Sequence, residues 1–334
     1  MIERAGKIPE PSSDAKKLDA NGSSCHPAIL SSCHDERGRT AACEVQAQPL
    51  PTIELSTSLE HFHAEAVRGQ CDTGRYRCPY YVWGAGPPLV FIPGLCDDSL
   101  SFVMPIARLS RHFRCIAYDL PTGAGDGARL SRYRHRDLVE DLFALLDQLQ
   151  IEQSYVFGAS FGSTVALRAL HDRPVRLPRG VLQGGFAYRP LAWGEVLLSS
   201  FARWWPWPMG KLPLRTELLK VSHEGPFARV DQSVWNFFLQ RFGAPPMAAV
   251  AHRALLLHQL DLRPLLPEVQ QPVLLIVGDQ DPLVGTACEN ALRAGLPHAS
   301  RAELDHCGHM PQFTHPELLA ELVLRYLTPL ACPR

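Results

Sequence analysis

Short apolar runs rich in β-branched and aromatic residues alternate with helix-patterned segments along most of this chain. PPLVFIPG (87–94) reads as a strand ending in a loop, LSFVMPIARLSR (100–111) as a helix and FRCIAYDL (113–120) as a strand. The loop PTGAGDGARLSRY (121–133) leads to RDLVEDLFALLDQL (136–149), whose apolar residues recur at helical spacing. Strand, helix and strand follow again through GVLQGG (180–185). Parallel strands need a crossover, so this order predicts an α/β protein with a mostly parallel sheet covered on both faces. Ahead of it, HFHAEAV (61–67) alternates like a strand and YRCPYYVW (76–83) supplies another. With no helix between them, they predict an antiparallel edge.

The alternation breaks over 186–268, a stretch that contains five of the six tryptophans and reads as an inserted helical lid subdomain. It resumes with PVLLIVGDQD (272–281), the helix TACENALRAGL (286–296), a short strand near SRAELD (300–305) and the helix PELLAELVLRYL (316–327). The expected organisation is a disordered N-terminal tail over 1–55, a core from 56–185 and 269–334, and the lid between the two halves of the core. The tail is rich in Ser, Ala, Pro and charge and lacks hydrophobic periodicity.

Within SYVFGASFGS (154–163), Ser160 falls at a strand-to-helix turn between Gly158 and Gly162. Side chains at either glycine would meet neighbouring backbone in so sharp a turn, which would push the serine hydroxyl outward. The pattern is G-x-S-x-G, the nucleophile elbow. A serine hydroxyl is barely nucleophilic at neutral pH and needs a base, which in turn needs a group to orient it. Asp281 follows a buried strand and His309 precedes the last helix, so the chain order is nucleophile, acid, base.

On these motifs the chain resembles the lid-bearing, esterase-like α/β-hydrolases from about residue 60 onward. G-A-S-F-G matches their elbow, G-D-Q-D-P-L-V their acid loop and G-H-M-P-Q-F-T-H-P-E their histidine loop. The resemblance implies Asp281 rather than Asp279 as the acid, and His309 rather than His306 or His315 as the base. It implies an oxyanion hole built from the backbone N–H groups of Phe161 and Leu95. It also implies an acyl-enzyme mechanism that needs no metal and no cofactor. Two positions depart from the family pattern. Pro93 stands where a histidine is usual before Gly94, and Pro121 where an arginine is usual in the loop after Asp119. In the lid, Trp193, Trp204 and Trp235 are candidates to line an apolar substrate pocket; packing within the lid is the alternative for each.

The expected activity is hydrolysis of a carboxylic ester, or a thioester or lactone, bearing an apolar substituent. A carbon–carbon bond hydrolase, an acyltransferase and a ligand-binding protein of the same fold are the competing readings. A net charge of −1 offers no basic excess for nucleic acid. Cys25-His26, Cys33-His34 and Cys43 lack close metal-ligand spacing, so no metal site is expected in the tail. The first residues, MIERAGKIPEPSSDAKK, lack the apolar stretch of a signal peptide, which makes a cytoplasmic location the expectation. RWWPWPMG (203–210) is the one stretch suited to a membrane surface, a contact not expected because charge around it is sparse. The small-molecule substrate is then the expected partner, and the oligomeric state is open.

Overall fold

The computed structural model describes residues 52–205, 207–212 and 215–328. Nearly all of the expected disordered tail, with its Cys-His pairs, lies outside the described residues. Its last few positions do not match the expectation. The Ile53 N–H donates to Glu317 at 2.7 Å, and Leu55 opens helix α1 (Leu55–Glu65). HFHAEAV is therefore largely helix, not strand. Leu55, Ser58 and Phe62 are the buried residues of α1, and their spacing is helical. Phe62 packs edge-on to Tyr81 and Trp83.

The strands that follow are β1 (Val67–Asp72), β2 (Arg77–Trp83) and β3 (Pro88–Ile92). Helix α2 (Val103–Leu109) leads to β4 (Arg114–Tyr118), α3 (His135–Gln148) to β5 (Tyr155–Ala159), and α4 (Phe161–Asp172) to β6 (Gly180–Gln183). Four helices then interrupt the alternation: α5 (Trp193–Ala202), α6 (Arg215–Phe227), α7 (Gln232–Gly243) and α8 (Met247–His258). The sheet resumes with β7 (Val273–Gly278), α9 (Thr286–Gly295) and β8 (Ala299–Leu304), closed by α10 (Pro311–Thr314) and α11 (Pro316–Leu327).

These strands form one sheet in the order β1-β2-β4-β3-β5-β6-β7-β8. From β4 to β8 the pairings are parallel, while β1–β2 and β2–β4 are antiparallel; the expected antiparallel edge is present, but its outer strand is Val67–Asp72 rather than HFHAEAV. Central strands are buried on both faces: β3 places Leu89, Val90, Phe91 and Ile92 in the core without alternation. One apolar cluster packs α3 and α4 against one face of the sheet, and another packs α1, α2 and α11 against the opposite face. A sheet wedged between helices in this way holds its strand ends rigidly, and the loops beyond the carboxyl ends of the parallel strands are where such folds place their chemistry.

Candidate active site

Ser160 sits between β5 and α4 with φ 49° and ψ −116°, a backbone conformation that L-residues seldom adopt. Such strain persists only where the surroundings impose it. The Ser160 N–H donates to the Gln183 carbonyl at 2.8 Å, and its own carbonyl accepts from the Ser163 hydroxyl at 2.6 Å. A Cβ at Gly158 would lie 2.6 Å from the Gly162 carbonyl oxygen, and one at Gly162 would collide with the Ile92 carbonyl. Both glycines are thus demanded by close backbone approach, the reason given for them from sequence.

Asp281 follows β7 and His309 follows β8. The His309 ring donates from Nδ1 to Asp281 Oδ2 at 2.6 Å, and both side chains are buried. The other carboxylate oxygen accepts from the Leu283 and Val284 N–H groups at 2.8 and 3.0 Å. Burial pushes the Asp281 carboxyl up, but His309 and these two N–H groups outweigh it and hold the pKa below the ordinary value. Asp279 is engaged elsewhere, since its Oδ1 accepts from the Cys307 N–H at 2.9 Å and so ties the histidine loop to the end of β7. His306 lies near Gln280, and His315 near the Thr314 hydroxyl.

Gln183, at the end of β6, joins the two halves. Its carbonyl holds Ser160, while its side-chain amide donates to the His309 carbonyl at 2.8 Å. The next residue, Gly184, has φ 53°, and a Cβ there would come within 2.8 Å of the His309 ring. Neither residue was identified from sequence, because a strand-end Gln-Gly pair has no distinctive pattern.

Ser160, Phe161, His309, Gly94 and Leu95 line one cavity of about 280 Å³ between the sheet and the inserted helices. Gly94 lies beside the nucleophile, where a Cβ on it would sit in van der Waals contact with Ser160 Cβ at 3.5 Å. Leu198, Phe242, Met247, Val250 and Leu257 make the opposite wall apolar. The three tryptophans expected there are elsewhere. Trp193, on α5, which buries none of its residues, and Trp204, just beyond that helix, are both exposed. Trp235 packs instead against Phe227 and Phe238, with ring centroids 5.0 and 5.4 Å away, in an aromatic cluster that reaches Phe313.

The most consequential residue missed from sequence is Arg253 of α8. It is buried, and its guanidinium donates to the carbonyls of Leu95 at 2.9 Å, Leu120 at 3.1 Å and Pro121 at 3.2 Å. One cation therefore pins both loops in which proline replaces the usual residue. A lone Arg in the apolar run MAAVAHRALLLH was the available signal, but its acceptors are backbone oxygens and leave no trace in sequence.

Asp97 is also buried beside the cavity, accepting from the Ser101 hydroxyl at 3.4 Å. Burial pushes its carboxyl up to about 6, against the pull of His309, Ser101, Gly94 and Arg253. An acid whose folded pKa lies above its unfolded value stabilises the fold below about 4 and loses that contribution as pH rises through about 6. Asp97→Asn is expected to flatten the fall of thermal stability between pH 4 and 7, by up to about 3 kcal/mol. Asp98, raised to about 7 by burial against the pull of Arg241 and in part by the neighbouring Asp97 charge, contributes a slope of its own that this change reduces but does not remove. Melting curves across that range would return an unaltered slope if Asp97 ionised freely in the fold.

Residues 87–316 match the sequence profile of the alpha/beta hydrolase fold family, and the chain belongs to that family. It is an enzyme of the hydrolase class, of ester type at the family level. It is 30% identical over 245 residues to a pimeloyl-(acyl-carrier protein) methyl ester esterase of Nitrosomonas europaea, an alignment covering 70% of this chain and 93% of that protein. A poly(3-hydroxyalkanoate) depolymerase of Ectopseudomonas oleovorans is 26% identical over 254 residues, covering 72% and 84%. Among solved structures, a hydrolase from Pseudomonas aeruginosa superposes with a TM-score of 0.68 at 20% identity, covering 78% of this chain and 98% of that one. Among the described residues, no helix is long and apolar enough to cross a membrane.

Proposed function

We propose that the enzyme is a serine hydrolase that cleaves a carboxylic ester with an apolar substituent through an acyl-enzyme. The observation that carries this reading is the buried 2.6 Å contact between His309 and Asp281 beside a cavity shared with Ser160 on its strained turn. With Nδ1–H committed to Asp281, His309 presents an unprotonated Nε2 as the base. Ser160 attacks the ester carbonyl as His309 takes its proton, and Asp281 stabilises the resulting imidazolium. The Leu95 and Phe161 N–H groups receive the developing oxyanion. Collapse expels the alcohol, protonated by His309, and leaves the acyl group on Ser160. Water then attacks the acyl-enzyme with His309 again as base, releasing the acid and restoring the serine hydroxyl. The inserted helices act as a lid whose apolar wall receives the acyl or aryl substituent.

Intact-protein mass spectrometry after exposure to a fluorophosphonate tests this reading. A single adduct on the wild-type protein, absent from Ser160→Ala and strongly slowed in His309→Ala, is the expected result. Folded wild-type protein that takes up no adduct would count against an activated serine.

Arg253 serves in this reading as a positioning residue for the Leu95 loop. Arg253→Met is expected to lower kcat by about 10- to 100-fold with KM little changed, since the oxyanion is bound most tightly in the transition state. Arg253→Lys, which keeps a charged donor, is expected to recover part of that loss. A rise in KM at constant kcat would place the role of Arg253 in substrate binding instead.

A further inference from the structure

Helix α5 is unusual in burying none of its residues although most of them are apolar. Trp193, Leu197 and Phe201 fall on one stripe at i, i+4 and i+8, and Leu198 lies beside it. Trp193 is 81% exposed, Phe201 70%, Leu198 68% and Trp204, just beyond the helix, 75%. Trp207 is also exposed and packs edge-on to Trp205 at 5.1 Å. An apolar face of this kind is costly in water and marks a contact surface.

The chemistry of the face narrows what covers it. Three of its side chains are indoles, which combine an apolar ring with an N–H donor and favour the headgroup level of a bilayer. From 196 to 212 the chain carries two cations, Arg203 and Lys211, and no acidic residue. Both are exposed, and the Arg203 guanidinium lies over the Trp204 ring at 5.0 Å. Glu195, the nearest acid in sequence, accepts from the Ala192 N–H at 2.8 Å and faces the Arg189 guanidinium at 3.9 Å. Cations flanking an indole-rich face complement anionic headgroups.

The face is also continuous with the active-site cavity, since Leu198 belongs to both and Ser199 and Glu195 line the cavity beside it. A second protein seated here would cover the cavity rim, which ester hydrolysis needs open. A lipid surface would instead present apolar esters to it.

We propose that the outer face of α5, with the side chains of Trp204 and Trp207, seats the enzyme on an anionic lipid surface, from which apolar ester substrate enters the cavity. The docking surface stands on its own observations; the entry of substrate rests on the ester-hydrolase reading. Sparse charge made this contact unexpected from sequence; the exposure of the indoles, with Arg203 and Lys211 the two cations beside them and no acid between, is what argues for it.

Flotation of the full chain with phosphatidylcholine vesicles, with and without one-third phosphatidylglycerol, tests the proposal. Wild-type protein is expected to float with the anionic vesicles, at least about 10-fold more tightly than with neutral ones, and to be released by 0.5 M salt. Leu197→Glu with Phe201→Glu, neither of which lines the cavity, is expected to weaken flotation at least about 10-fold. The same variant should hydrolyse dissolved p-nitrophenyl acetate at the wild-type rate and vesicle-embedded p-nitrophenyl ester more slowly. Absence of wild-type flotation, or equal flotation of the variant, would overturn the proposal. So would sedimentation velocity showing a wild-type dimer that the double change dissociates, which would assign the face to a second copy. Vesicle binding with no hydrolysis of either ester would leave the surface in place and overturn the entry of substrate.

Discussion

Ser160→Ala is expected to lower kcat for p-nitrophenyl butyrate by at least about 10⁴-fold while moving the thermal midpoint by no more than about 2 °C. The two effects separate because the fold uses the backbone of Ser160, whereas the proposed chemistry uses its hydroxyl. The N–H bond to Gln183 and the carbonyl bond from Ser163 survive in alanine. Positive φ costs alanine about as much as serine, so the strain of the turn is little changed. Loss of the hydroxyl removes the only atom that can carry the acyl group in this scheme, and neither histidine nor aspartate substitutes for it. Residual hydrolysis would come from binding and oxyanion stabilisation alone. Steady-state rates, corrected by the burst of p-nitrophenolate at high enzyme concentration, are the measurement. A variant within 10-fold of wild type would remove Ser160 from the mechanism and with it the acyl-enzyme.

Asp281→Asn is expected to lower kcat about 10³- to 10⁴-fold with KM nearly unchanged, for a reason visible in the hydrogen bonds. Asp281 Oδ1 accepts two backbone N–H groups, and asparagine keeps them only by turning its carbonyl oxygen toward Leu283 and Val284. Its amide then faces His309 Nδ1 and donates to it. The imidazole is forced to carry its proton on Nε2, the atom that must receive the serine proton. Wild-type Asp281 favours the opposite tautomer and stays ionised to below the ordinary carboxylate range. Its native-state pairing therefore contributes stability above the unfolded carboxylate pKa, and that contribution is lost as pH falls through the lower folded value. Acid unfolding monitored in parallel should begin at higher pH in a variant that has lost this pairing. Full activity in Asp281→Asn would show that another group orients the base.

The elbow, the acid loop and the histidine loop were legible because each lies at the end of an element whose periodicity announces it. Gly158 and Gly162 report close backbone approach directly, since only glycine fits there. Residues 61–66 misled because small alanines in HFHAEAV mimic alternation, whereas the buried set Leu55, Ser58 and Phe62 becomes a helical stripe only when the preceding residues are included. Tryptophans in the insertion carried no sign of which way they point. Trp235 meets Phe227 and Phe238 while Trp193 meets solvent, a difference made by tertiary packing alone. Arg253 was illegible because it recognises loops by their carbonyls, and any sequence supplies those.

The insertion between β6 and β7 carries a kinetic consequence. Gln183 pairs in register with Ile276, so the two strands meet only after the whole of 184–272 has been looped out. Closing so long a loop costs entropy before the pairing returns any, which is expected to make this a slow, non-local step of folding. The turn around Ser160 depends on β3, β5, β6 and α4, all of which precede the insertion, and can form earlier. Asp281 and His309 wait for β7 and β8 to dock. A refolding chain would accordingly regain most of its helix signal before any hydrolytic activity, and the interval between the two would lengthen if the insertion were made longer.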